Sequence, residues 1–183
     1  MLLISVAAFA QSQHMKFMGI PIDGNITSFQ SKLQQKGFVF KSNKSTPGER
    51  EVYKQYSGKF AGRNCSLFVS YDRNTKIVYD VQVCYHFECY DYEYEKSECG
   101  VRDNMYENLN KQLKQKYPQA FIQNTGDSWN KQTNFKLDYG DIVVYTKDKT
   151  EEHSGKTTEY LYITYTDKLN TAKAKSSFVS DDL

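Results

Sequence analysis

Between Lys76 and Phe87 the chain alternates: Ile77, Tyr79, Val81, Val83 and Tyr85 are separated by mostly polar residues. That period of two is the signature of a strand with one buried face. Similar patterning predicts strands over Glu51 to Phe60 and Asn64 to Tyr71. The turn Asp72-Arg73-Asn74-Thr75 joins the strand ending at Tyr71 to the one starting at Lys76, with Asn74 the residue best suited to a left-handed backbone. Pairing Leu67 with Val81 and Val69 with Tyr79 keeps the apolar residues of this hairpin on one face. Upstream, Met15 to Ile22 reads as an extended segment closed by Asp23-Gly24-Asn25. The period then changes. Ile26, Phe29 and Leu33 fall on one helical stripe, which predicts a helix from about Thr27 to Lys36 with Gly37 as its stop. Phe38 to Lys41 follows as a short strand, and Ser42 to Arg50, with Pro47-Gly48, as a loop.

The second half repeats this order. Met105, Leu109 and Leu113 recur every fourth residue and predict a helix from about Val101 to Tyr117, ended by Pro118. Strands follow near Ala120 to Asn124, Trp129 to Tyr139, Asp141 to Lys147 and Thr158 to Thr166, with a polar loop through Gly155 before the last. Residues 168–183 form a polar, Ser- and Lys-rich tail expected to be loosely ordered. Gly62, Leu67, Val69 and Tyr71 are echoed by Gly140, Ile142, Val144 and Tyr145. The expectation is an α+β fold: one domain over 11–167, with two pseudo-repeats, 15–87 and 100–166, each a helix and an antiparallel meander. Together they form a sheet with the helices on one face.

Composition supports sheet. There are 15 Tyr and 11 Phe against one Trp, and Tyr suits half-buried strands. The net charge is only +2, from 24 basic and 22 acidic residues without a basic block, so no nucleic-acid partner is expected. Residues 1–10 are apolar and end in Ala8-Phe9-Ala10, as a signal peptide does before its cleavage site. No Lys or Arg precedes the run, so translation is expected to start upstream. No segment approaches the ~18 apolar residues of a membrane span, and no Cys follows the leader for lipid attachment. The expected location is periplasmic or secreted.

The four cysteines are permitted to pair in an oxidising compartment. Cys89 and Cys99 flank a polar loop, and a bridge between them would restrain it. The hairpin register sets Cys65 opposite Val83 and turns Cys84 to the other face, against a bridge between those two. Without a C-x-x-C pair, and without His at i and i+4, no metal site or cofactor is expected. Cys84 and His86 share a strand face and could form a nucleophile pair, although a surface His beside an inert Cys is the commoner arrangement. No Gly-x-Ser-x-Gly elbow or phosphate loop is present. The acidic, Tyr-rich stretch Glu88 to Glu98 could hold Ca²⁺, a basic partner or a sugar, but reads first as a charged edge strand.

The opening Lys16-Phe17-Met18-Gly19-Ile20-Pro21-Ile22-Asp23-Gly24, with Phe29, Leu33 and Lys36-Gly37-Phe38 after it, resembles that of an uncharacterised family of exported proteins from Bacteroides-type bacteria. Phe60-Ala61-Gly62 is similar too. The resemblance implies an envelope location and carries no activity. By architecture alone, the duplicated helix-and-sheet plan resembles the β-lactamase-inhibitor-protein-like fold.

One surface stands out. With the aliphatic set Leu161, Ile163 and Tyr165 beneath the helices, Tyr160 and Tyr162 lie on the open face of the sheet. Tyr145 with Val143, and Phe68 between Ser66 and Ser70, join them there. An exposed aromatic face marks a ligand or partner surface. The functional expectation is therefore an exported, non-catalytic binding module that engages an envelope protein or glycan through Phe68, Tyr145, Tyr160 and Tyr162. The alternatives are an envelope hydrolase with a dispersed site and a self-assembling surface or adhesin subunit.

Overall fold

A computed structural model describes residues 13–45, 51–89, 100–127, 130–150 and 157–179. The N-terminal segment does not run straight. Lys16–Phe17 (β1) and Ile20–Pro21 (β2) pair as a miniature hairpin around Met18 and Gly19, both at positive φ. Helix α1 spans Ile26–Gln35; the Asn25 side chain accepts the Thr27 N–H at 2.8 Å as its N-cap. Gly37, at φ 87°, closes it with Gly37 N–H donating to Gln34 O and Phe38 N–H to Leu33 O, the Schellman pattern.

Four antiparallel strands follow: β3 (Val39–Ser45), β4 (Glu51–Phe60), β5 (Arg63–Asp72) and β6 (Val78–Cys89). The second helix, α2, spans Val101–Lys116. A second meander comes after it: β7 (Phe121–Gly126), β8 (Lys131–Leu137), β9 (Gly140–Thr150) and β10 (Thr157–Asp167). All eight join one antiparallel sheet in the order β3-β4-β5-β6-β10-β9-β8-β7. Each unit is thus a helix and a four-stranded meander, and the two units meet through their last strands. The β6–β10 seam runs ten residue pairs, from Thr157 opposite Cys89 to Thr166 opposite Asp80. The α+β class and the helix-plus-meander plan read from the sequence are the architecture found.

Both helices cover the same face. Phe29 and Leu33 of α1 and Leu109 and Leu113 of α2 enter one buried cluster with Leu67, Val83, Ile142, Leu161 and Ile163. The Tyr106 hydroxyl lies 2.7 Å from Thr133 Oγ1 beneath α2, and Tyr56 OH donates to Gln30 Oε1 of α1 at 3.4 Å. Phe17 of β1 joins the two units: its ring stacks on Phe60 at 5.3 Å and meets the edge of Tyr165 at 5.4 Å. No helix among the described residues is long and apolar enough to cross a membrane.

Five local expectations need correction. The β5–β6 register is displaced by two residues, with Leu67 opposite Val83 and Val69 opposite Val81. The even shift keeps the side chains from Asp80 to Cys84 on their expected faces, but an irregularity between Ser70 and Tyr71 absorbs one extra residue, so that beyond it Val78 is buried in place of Ile77 and Tyr79. In the connecting turn the left-handed residue is Lys76 (φ 61°), not Asn74. Asp72 Oδ1 there accepts the N–H groups of Asn74 and Thr75 and the Thr75 hydroxyl, which supplies the local bonding expected of a turn residue. The strand expected to end at Lys41 continues to Ser45. On α2, Met105 packs half-buried against the core, and the fully buried stripe runs through Arg102, Tyr106, Leu109 and Leu113, of which Arg102 and Tyr106 were not expected.

The fifth concerns the tail. Residues 168–179 form α3 (Lys168–Val179) rather than a loose extension. Asp167, fully buried, caps this helix by accepting the Asn170 N–H at 2.8 Å. The buried Asn170 amide donates to Ile22 O and Val78 O, both at 2.9 Å. Long-range polar bonds hold this helix, with Ala174 buried one turn beyond Asn170. The expected leader (1–10) and residues 180–183 lie outside the described residues.

Candidate functional site

On the face opposite the helices, strand register arranges side chains in rows that cross the seam. Tyr53, Ser70, Asp80 and Thr166 make one row, and Gln55, Phe68, Gln82, Thr164 and Val143 the next. Ser57, Ser66, Cys84, Tyr162 and Tyr145 make the third. His86 and Tyr160 stand opposite each other at the start of a fourth. The centre of these rows is an open cleft of about 580 Å³, lined by Tyr53, Ser66, Phe68, Ser70, Asp80, Gln82, Cys84, His86, Tyr160 and Tyr162.

Its two sides are aromatic. On the β10 side Tyr162 stacks on Tyr145, centroids 4.7 Å apart and planes within 14°. Tyr160 lies 5.9 Å from Tyr162 at 21°, so three near-parallel rings form a ladder across β9 and β10. Opposite, Phe68 is braced by the edge of Tyr53 at 5.7 Å and 76°. Edge-to-face and offset-stacked pairs of this kind are mutually stabilising.

The floor between the walls is polar. Gln82 Nε2 donates to Tyr145 OH and to Thr164 Oγ1, both at 3.2 Å, which fixes the amide orientation and one hydroxyl of the ladder. Thr166 Oγ1 donates to Asp80 Oδ1 at 2.7 Å. Burial raises the pKa of Tyr162 and of Tyr145, with the nearby Cys84 sulfur adding to both, so the rings remain neutral phenols.

Cys84 occupies the middle of the floor. Burial pushes its thiol up to about 11, against a smaller opposite effect from its hydrogen bond with Tyr162. The thiolate is the nucleophilic form, and at neutral pH this sulfur is a thiol. Cys84 and exposed His86 share the face, as their spacing requires, but the setting is that of an inert sulfur.

The four aromatic residues singled out from the sequence come together here. Phe68, Tyr160 and Tyr162 line the cleft, and Tyr145 backs Tyr162 from the next strand. Sequence reasoning missed Tyr53 and the polar floor of Asp80 and Gln82. The alternation of β4 placed Tyr53 on a strand without giving its face, and the floor exists only because β6 lies between β5 and β10. Cys65 and Cys84 are both free, on opposite faces, in line with the face assignment from the register. Cys99 and the side chain of Cys89 lie outside the described residues, as does most of the stretch Glu88 to Glu98. Among the described residues no group of three or more His, Cys, Asp or Glu is placed to hold a metal ion.

No protein-family model, no curated protein and no solved structure matches this chain.

Proposed function

We propose that this chain is a non-catalytic binding module of the bacterial envelope that engages its ligand in the aromatic-walled cleft of the open sheet face. The observation that carries the reading is the ladder Tyr160–Tyr162–Tyr145 standing over a polar floor in a cleft of about 580 Å³. That volume falls within the roughly 300–1,000 Å³ range of small-ligand sites. Tyr offers large contact area at the cost of only two side-chain torsions, and stacking holds these rings in place before a ligand arrives. An envelope location is supported by the apolar leader at 1–10 and by the resemblance of Lys16 to Gly24 to exported proteins.

A Cys84-based hydrolase is the weaker reading, because the sulfur in the cleft is held as a neutral thiol. The test immobilises the wild-type chain beside a folded Tyr160→Ala/Tyr162→Ala variant and passes envelope extract over both. Material retained by wild type and released by the variant supports the cleft as the binding site. Equal retention, or none by either, refutes it.

A further inference from the structure

We infer that the cleft takes a neutral oligosaccharide, with a sugar ring laid against the Tyr160–Tyr162 wall and its hydroxyls turned to the floor. This rests on the reading of the open face as a binding surface and adds the chemistry of its occupant.

The wall comes first. One face of Tyr162 is covered by Tyr145 at 4.7 Å, and Tyr145 does not line the cleft. Tyr160 and Tyr162, neighbours on the open face of β10 with planes within 21°, both line the cleft. An aromatic wall of this kind suits a ligand with a flat C–H face. A pyranose ring has such a face, and its rim carries hydroxyls that both donate and accept.

The floor matches that rim. Asp80 and Gln82 of β6 lie between the aromatic walls, and Ser66 and Ser70 flank Phe68 on β5; together they offer hydroxyl, amide and carboxylate groups. Serine hydroxyls turn to donate or accept as needed, and Gln82 is already oriented by Tyr145 and Thr164. Mixed donors and acceptors in a fixed frame suit a polyol better than an apolar side chain.

Charge narrows the class further. Among the described residues lining the cleft there is no Lys or Arg. Phosphate, sulfate and carboxylate groups are normally met by such cations, and single-stranded nucleic acid needs them along its backbone even where bases stack on aromatics. An anionic ligand would instead meet the Asp80 carboxylate. A protein partner fits less well, since a standard interface takes about 800 Å² from each side with an apolar centre. Here the strip between the walls is Asp80, Gln82 and Cys84 of β6, with Ser66 and Ser70 beside Phe68, and it is mostly polar.

The experiment titrates the full chain with neutral gluco-, manno-, xylo-, galacto- and N-acetylglucosamine oligosaccharides, and with sulfated and uronic-acid oligomers as the anionic arm. Calorimetry and Tyr fluorescence report binding. The expected result is saturable binding of at least one neutral series in the micromolar to millimolar range, with the anionic arm silent. Tyr160→Ala/Tyr162→Ala should weaken it by about tenfold or more, the scale for truncating aromatic anchors. Tyr160→Phe/Tyr162→Phe keeps the rings and should bind nearly as wild type, which separates ring loss from misfolding. Envelope extract treated with periodate, which cleaves vicinal diols, or with protease is then passed over wild type. Retention lost to periodate and not to protease supports the inference. No neutral oligosaccharide bound at millimolar concentration, or binding unchanged in the folded Ala variant, overturns it. Cleft-dependent retention lost to protease but not to periodate also overturns it, while leaving the binding module itself standing. Failure of the cleft to retain anything defeats both.

Discussion

Replacing Asp167 with Ala should be the most damaging single change at the junction of the chain's two ends. Its carboxylate is fully buried and works in two directions. Oδ1 accepts the Asn170 N–H at 2.8 Å, capping α3. Oδ2 accepts the Met15 N–H at 2.8 Å and lies 3.0 Å from His14 Nδ1. Loss of an N-cap costs about 0.5–2 kcal/mol. A buried N–H left without an acceptor, here that of Met15, costs about 1–3 kcal/mol. Because the two share one side chain and relax together, the expected total is about 2–4 kcal/mol. With a urea slope of about 2 kcal/mol/M, that lowers the unfolding midpoint by roughly 1–2 M. Asp167→Asn keeps a capping oxygen and should lose about half as much. Urea melts of the three proteins at constant pH, followed by circular dichroism, decide the matter. A change below about 0.5 kcal/mol for Asp167→Ala, the level of an ordinary surface substitution, would refute the bridging role.

Other outcomes follow from packing and charge. In Gly58→Ala the new Cβ would sit 2.4–2.9 Å from three carbons of the Phe38 ring. The variant should lose about 1–3 kcal/mol in the same melts, and an unchanged midpoint would show that the ring moves aside freely. Arg102 is buried, and its guanidinium meets Asp103 at 3.0 Å, Glu159 at 3.6 Å and Asp148. Since those partners are partly exposed, Arg102→Met should cost about 1–3 kcal/mol, below the full loss for a dry ion pair; stability equal to wild type would show that solvent screens the cluster. Burial holds the thiols of Cys65 and Cys84 at about 11, against an ordinary 9.0. The folded state therefore keeps protons that the unfolded chain releases, so this stabilisation is intact below pH 9 and is lost as pH rises toward 11. The urea midpoint should fall across that window, and Cys84 should react with a disulfide reagent at neutral pH far more slowly than a free thiol. Rapid labelling of Cys84 in the folded chain would refute the assignment.

Much of the architecture is written in local pattern. Alternation in β5, β6, β9 and β10 sets which side chains share a face, since successive residues of a strand must point oppositely. That parity survived a two-residue error in register, so Phe68, Tyr145, Tyr160 and Tyr162 were legible as one surface before any pairing was known. The stripe Ile26, Phe29 and Leu33 and the stop at Gly37 specify α1 in the same way. Tertiary structure decided what depends on residues distant in sequence. The tail reads as loose because it is polar and rich in Ser and Lys; its order comes from Asp167 reaching Met15 and from Asn170 reaching Ile22 and Val78. The left-handed turn residue moved from Asn74 to Lys76 because the Asp72 side chain organises that loop. The cleft itself needs the β6–β10 seam, which sets Cys84 beside Tyr162 and His86 beside Tyr160. A strand's own pattern states which face is buried and not which strand lies alongside. Only the sheet order, with β6 between β5 and β10, could separate two aromatic walls by a polar floor.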